Sequence, residues 1–172
     1  MKKLSLMAAC FMLSAMLATA QKYAIIDTRY ILDKLPDYKE AQKKLDATAD
    51  MWQKEIDGKQ EQLNKMYRDF ETEQVMLTPD LRKKREDELF NKEKEVRDLQ
   101  KKRFGYEGDL FKERQRLIKP IQDRVYGAVQ KLAAARSYDL IFDKSEGITV
   151  IFADPKLDRS EDVLRELGVK PE

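Results

Sequence analysis

"MLTPDLRKKRE" (residues 76–86) decides whether the middle of this chain is a rod or a hairpin. No proline occurs between Pro36 and Pro79, and apolar side chains recur at helical spacing up to this point. Thr78 is then a good N-cap, Pro79 suits the first position of a helix, and Asp80 complements the positive end of its dipole. One helix must stop here and another must start. So tight a connection makes the two an antiparallel hairpin with its tip near 76–80.

Upstream, Asp37 with Glu40 is a capping-box-like start for the first arm. One seam position takes Leu45, Trp52, Lys59, Met66 and Glu73, and the other takes Ala49, Ile56, Leu63, Phe70 and Leu77. This is an a/d coiled-coil pattern weakened by Lys59 and Glu73. Downstream, Leu89, Val96, Leu99, Tyr106, Leu110 and Leu117 give the second arm its own seam. The arms, 37–76 and 79–118, are equal in length, each roughly 60 Å if helical. Pro120 opens a further segment, 120–136, at the foot of the second arm.

Strand chemistry flanks the hairpin on both sides. "KYAIIDTRYIL" (22–32) begins with a strand, and Asp27 or Thr28 can cap a short helix that Leu35-Pro36 ends. "YDLIFD" (138–143) and "GITVIF" (147–152) are β-rich and are the expected partners of the first strand, and Lys144-Ser145-Glu146 between them has a length suited to a β-hairpin. Ser160, backed by Glu161 and Asp162, caps a last short helix that Gly168 stops. Tyr23, Ile25, Ile26, Leu140, Phe142, Ile148, Val150 and Phe152 leave neither face of these strands suited to water. Their open edges invite pairing with another copy of the chain. The body has roughly 70 residues per chain, near the lower limit for a self-sufficient core.

The expected fold is therefore α+β and mostly α. A long helical hairpin (37–118) is inserted in a small β-rich body (21–36 and 119–172) that oligomerises. Residues 1–20 stand apart as a secretory signal peptide. Lys2 and Lys3 precede an uncharged apolar run, and Ala18-Thr19-Ala20 is a small-x-small cleavage site ahead of Gln21. Lipidation at Cys10 is the rival reading, but it leaves an apolar run of only about six residues.

Cys10 is the only cysteine and histidine is absent, so the mature chain has no disulfide and lacks the commonest general base. Without Lys2 and Lys3 it carries 32 basic against 32 acidic residues, a balance that argues against nucleic-acid binding. No catalytic, metal-binding or cofactor-binding set emerges. Asp27 and Asp143 end their strands alike, as "AIID" and "LIFD", and read as caps and turn formers rather than an acid–base pair.

The ordered combination of leader, "KYAIIDTRYIL", charged helical hairpin, "YDLIFDKSEGITVIF" and "DRSEDVLRELG" resembles the OmpH/Skp family of periplasmic chaperones. That resemblance implies a homotrimer whose terminal strands build a barrel-like base. Three hairpins would extend from it as tentacles that enclose unfolded outer-membrane proteins without ATP, in the periplasm, after cleavage behind Ala20. The alternative is a structural or adaptor coiled-coil protein that binds one folded envelope partner.

Several residues are candidates for this work. Val75 and Met76 near the tip, and the stripe Phe90, Phe104 and Phe111 beside the second seam, can contact clients; packing is the alternative for each. Arg82, Lys83, Lys84 and Arg85 can attract an anionic membrane surface at the tip, or form a solvated face balanced by Glu86, Asp87 and Glu88. Gly105 and Gly108 can form a hinge in the second arm, or allow close packing against Trp52. The seam interruptions Lys59, Glu73, Lys92, Arg103 and Glu113 favour an open, mobile hairpin.

Overall fold

The computed structural model describes residues 21–145 and 150–169. The leader, Ile148 and the chain's last three residues lie outside them. The chain divides into two compact units, one from its two ends and one spanning Leu35–Asp123.

The unit formed by the chain ends contains β1 (Tyr23–Ile26), α1 (Thr28–Lys34), β2 (Leu140–Asp143), a short 3-10 turn (Pro155–Leu157) and α6 (Ser160–Glu166). It also holds the later part of α5 (Lys119–Arg136), where Val125, Ala128 and Leu132 form a buried face at helical spacing. β2 pairs with β1 in parallel, from Tyr23 opposite Leu140 to Ile26 opposite Asp143. The ladder is framed by the Asp139 amide on the Lys22 carbonyl (2.8 Å) and the Lys144 amide on that of Ile26 (2.9 Å). On the other edge of β1, the Arg159 amide donates to the Ile25 carbonyl (2.8 Å), and Ile25 bridges Asp158. β1 is thus the central element, which is why Ala24, Ile25 and Ile26 are buried within one chain. The outer edge of β2 pairs with nothing among the described residues.

This corrects two expectations. "YDLIFD" pairs with the distant β1, as expected, but "GITVIF" joins neither of them as a strand within its described residues. Val150, Ile151 and Phe152 carry no regular structure, so no β-hairpin through Lys144 and Ser145 appears among the described residues. Ser160 does not cap its own helix either. Its hydroxyl accepts the Asp27 amide (2.9 Å), while Asp158 Oδ1 accepts the Ser160 amide (2.9 Å).

Asp27 does cap α1, its carboxylate accepting the Tyr30 amide (2.9 Å). α1 packs on α6 through a core that includes Ile31, Val163 and Leu164. Gly168, at φ +80°, closes α6. The Gly168 amide bonds the Arg165 carbonyl and the Val169 amide that of Leu164, the paired bonds of a Schellman motif.

The second unit is the hairpin. α2 (Pro36–Glu73) runs 38 residues, about 57 Å of helix at 1.5 Å per residue. It starts at Pro36 behind Leu35, with Asp37 bonding the adjacent Tyr38 amide rather than acting as the expected cap. The turn at Gln74–Met76 leads through Thr78, which accepts the Leu81 amide, into α3 (Pro79–Phe104). α4 (Asp109–Leu117) follows, and α2 lies against both.

Ile56 and Leu63 of α2 meet Leu89 and Val96 of α3 in a buried cluster, flanked by Met66, Phe70, Leu99 and Phe104. The second arm is not continuous, as its spacing led one to expect. It breaks at 105–108, and Tyr106, which should lie in the seam, is instead 97 % exposed. The interrupting charges also differ from expectation, because most of them pair across the arms. Lys59 Nζ lies 2.6 Å from Glu95, which Lys92 also approaches (2.9 Å). Arg103 reaches Glu55 (3.1 Å), and Glu73 lies 4.0 Å from Arg85. Lys92 and Glu113 pair within their own helices, with Glu95 and Arg116.

Candidate functional site

A binding surface on this hairpin has to be built from what the seam leaves outside. The tip turn leaves Val75 and Met76 89 % and 83 % exposed, because neither falls on the buried face of α2. Leu81 in the first turn of α3 is also exposed. It went unnoticed in the sequence, although its distance from Leu89 places it off the seam. Along the second arm Phe90 is 60 % exposed and Phe111 is nearly half exposed. Phe104 is different: it packs half-buried against the hairpin core. The stripe therefore divides, with Phe104 in the packing role and Phe90 and Phe111 facing solvent. Met51 adds another exposed apolar side chain on α2.

The basic run at the tip also divides. Arg82 pairs with Glu86 (3.1 Å), and Arg85 with Glu88 (3.0 Å) and Glu73. Lys83 and Lys84 are exposed and form no ion pair among the described residues. Two of the four charges are thus balanced locally and two remain on the surface.

Electrostatics along the arms follow the cross-arm pairs. Hydrogen bonds from Lys59 and Lys92, reinforced by their charge, hold the Glu95 carboxyl down to about 2. Lys59 is raised in turn by the same bond to Glu95. Glu95 is solvent-exposed and Lys59 partly so, and this pairing is screened by salt.

At 105–108 the glycines have a steric rather than a conformational reason. Gly105 and Gly108 are extended, near φ −69° and −68°. A Cβ on Gly105 would stand 2.3 Å from the Lys101 carbonyl oxygen. On Gly108 it would meet the Lys102 and Gly105 carbonyl oxygens at 2.8 and 2.9 Å. The Gly108 amide donates to the Gly105 carbonyl (2.9 Å), and Glu107 between them takes a left-handed φ of 52°. Trp52 approaches this joint through Arg103, whose guanidinium carbon lies 4.7 Å from the indole ring centre.

In the unit of the chain ends, the two strand-final aspartates have structural partners. Asp143 Oδ1 accepts the amides of Thr28 (3.2 Å) and Ser145 (2.9 Å), and Oδ2 accepts the Thr28 hydroxyl. Burial works to raise its pKa, but the bonds from Thr28 and Ser145 outweigh it and leave the carboxyl below its ordinary range. Asp158 behaves likewise: burial is overcome by Lys144 (2.7 Å) and the Ser160 amide. These groups tie β1, β2 and the start of α6 together.

The residues expected at a subunit interface separate into two sets. Ile25 and Ile26 are buried within the chain, and Phe142 and Val150 are half-buried. Tyr23 and Leu140 are about half exposed, Phe152 is largely exposed, and the previously unassigned Ile151 is 94 % exposed. Among the described residues no group of three or more His, Cys, Asp or Glu side chains is placed to hold a metal ion.

A small α+β unit and a long helical hairpin with exposed apolar side chains define a class of hairpin-bearing α+β proteins. The family model for outer membrane proteins of the OmpH-like type matches residues 22–167, and the chain belongs to this family. Among solved structures it is similar to a candidate OmpH-like outer membrane chaperone from Caulobacter crescentus CB15. The TM-score is 0.66 at 12 % identity, covering 90 % of this chain and 89 % of that one, a likeness of fold. No curated protein matches the chain significantly.

Proposed function

We propose that this protein is an ATP-independent holdase of the periplasm, exported by a leader cleaved after Ala20, that encloses unfolded outer-membrane proteins between hairpins of a homotrimer. The observation that carries the reading is the scatter of exposed apolar side chains along the hairpin. Val75 and Met76 stand together at the tip, while Leu81, Phe90 and Phe111 are spread along the second arm rather than forming one pocket. Such a surface binds through many weak contacts, and affinity arises when several hairpins act on one chain. A client held this way stays mobile and is kept from aggregating. No catalytic step is required.

Trimerisation draws support from the outer edge of β2, unpaired among the described residues, and from the exposed Tyr23, Leu140, Ile151 and Phe152 in the same unit. Apolar side chains beside an open strand edge are covered when a second copy adds to the sheet. The free charges of Lys83 and Lys84 beside Leu81 support contact of the tip with an anionic membrane surface.

A second reading, an adaptor that binds one folded envelope partner, draws on the cross-arm pairs Lys59–Glu95 and Arg103–Glu55, which brace the arms against each other. The discriminating experiment dilutes a urea-unfolded β-barrel membrane protein into buffer with the mature protein. Suppressed light scattering supports the holdase. Failure to suppress it, with tight binding to one folded partner, supports the adaptor.

A further inference from the structure

The break at 105–108 interrupts the helical ladder of the second arm, yet one side chain spans it. Arg103, in the last turn of α3, donates from Nη1 to Asp109 Oδ2 (2.8 Å) at the start of α4 and from Nη2 to Glu55 Oε2 (3.1 Å) on α2. Its planar face lies over the Trp52 ring of α2. Three helices therefore converge on one guanidinium. Its side chain is 22 % exposed, and its Nε is buried without a hydrogen-bond partner among the described residues. A planar, forked cation suits this place because it can bond two carboxylates and stack on an indole at once, which an ammonium cannot do.

The geometry points to Arg103 as the positioning residue of the joint: it latches α4 to α3 and α2 and thereby fixes the bend of the hairpin. The two glycines give the backbone room to turn, and the steric reason for them says nothing of mobility. The orientation is set by Arg103. With the latch intact the arm keeps one bend; with it removed, the exposed Tyr106 and Glu107 provide no side-chain packing at the break to replace it. The consequence for clients, a change in the size of chain the hairpins can enclose, rests on the holdase reading. The latch itself does not.

The test uses the mature protein with two introduced cysteines, which its lack of native ones permits. Spin labels go on the exposed positions Asn91 in α3 and Lys112 in α4. The native protein should give one narrow distance distribution. Arg103→Gln should broaden it roughly twofold or more, and exchange of the Gly105, Gly108 and Lys112 amides should accelerate about tenfold. Asp109→Ala and Glu55→Ala each remove one leg and should give intermediate widths, which keeps the test open if Arg103→Gln does not fold. Lys59→Gln breaks a cross-arm pair of the same kind elsewhere on the hairpin and should leave the width native. Native widths in the Arg103, Asp109 and Glu55 variants would overturn the latch. Equal broadening by Lys59→Gln would overturn it too, by showing general loosening of the hairpin. No client is present, so this result is independent of the proposed function.

Discussion

Replacing Asp143 by alanine should destabilise the unit of the chain ends far more than a half-buried surface change normally does. The carboxylate accepts the Thr28 amide, the Thr28 hydroxyl and the Ser145 amide, and Thr28 is the first residue of α1. The substitution leaves a helix-terminal N–H without its acceptor and removes a negative charge from the positive end of the helix. Hydrogen bonds to a charged group contribute about 1.5–3 kcal/mol each, but they are not additive and this site is partly wet, so a total loss of about 2–4 kcal/mol is expected. The pH dependence gives the sharper signature. The folded pKa of Asp143 lies below its unfolded value of 3.8. Its contribution is therefore complete above about pH 4, declines below that, and vanishes as pH falls through the folded pKa. Urea unfolding of native and Asp143→Ala protein, at one fixed protein concentration, should show the full difference at neutral pH and a shrinking one on acidification. A difference unchanged down to about pH 3, or none at neutral pH, would refute the assignment of Asp143 as the tie between β2 and α1.

Other substitutions separate packing from binding. Leu63→Ala and Leu89→Ala each remove a buried seam side chain and should cost about 2–5 kcal/mol in hairpin stability by thermal circular dichroism, whereas Phe90→Ala should stay within about 0.5 kcal/mol. In the aggregation assay the order should reverse at permissive temperature, with Phe90→Ala and Met76→Ala weakening client retention. Glu95→Gln removes the negative charge shared by Lys59 and Lys92, so amide exchange on the facing arms should rise at low salt and match the native protein at high salt. Gly168→Ala forces a side chain into a left-handed residue with open space around it, which should lower stability by about 1 kcal/mol through backbone conformation alone, as measured by urea unfolding.

What the sequence could disclose depended on how local each cause was. Thr78, Pro79 and Asp80 carry the hairpin turn in three adjacent residues, and the structure starts α3 there. Ile56, Leu63, Leu89 and Val96 follow helical spacing, so their face was legible. The break at 105–108 was signalled only by Gly105 and Gly108, because Leu99, Tyr106 and Leu110 keep a seam-like spacing. Spacing does not report that the Lys101 and Lys102 carbonyls leave no room for a Cβ. β2 read correctly as a strand and as a partner of β1, but alternation contains no direction, so the parallel sense of the pairing was not legible, and the local hairpin with "GITVIF" was expected in excess. Ser160 is a cap-type residue whose actual partner lies 133 residues away. Arg103 looked like a defect in an apolar pattern, because only the folded hairpin brings Glu55, Trp52 and Asp109 to it. On the surface, Val75 and Met76 were visible as off-seam residues, while Ile151 was masked by its place in an expected strand.

The central claim is tested most directly by light scattering during dilution of an unfolded β-barrel membrane protein, with the oligomeric state of the mature protein measured in the same buffer. The account predicts a trimer that abolishes aggregation at about one trimer per client, with no nucleotide present, because several hairpins act together. A monomer, or a trimer that leaves aggregation unchanged at that ratio, would contradict it.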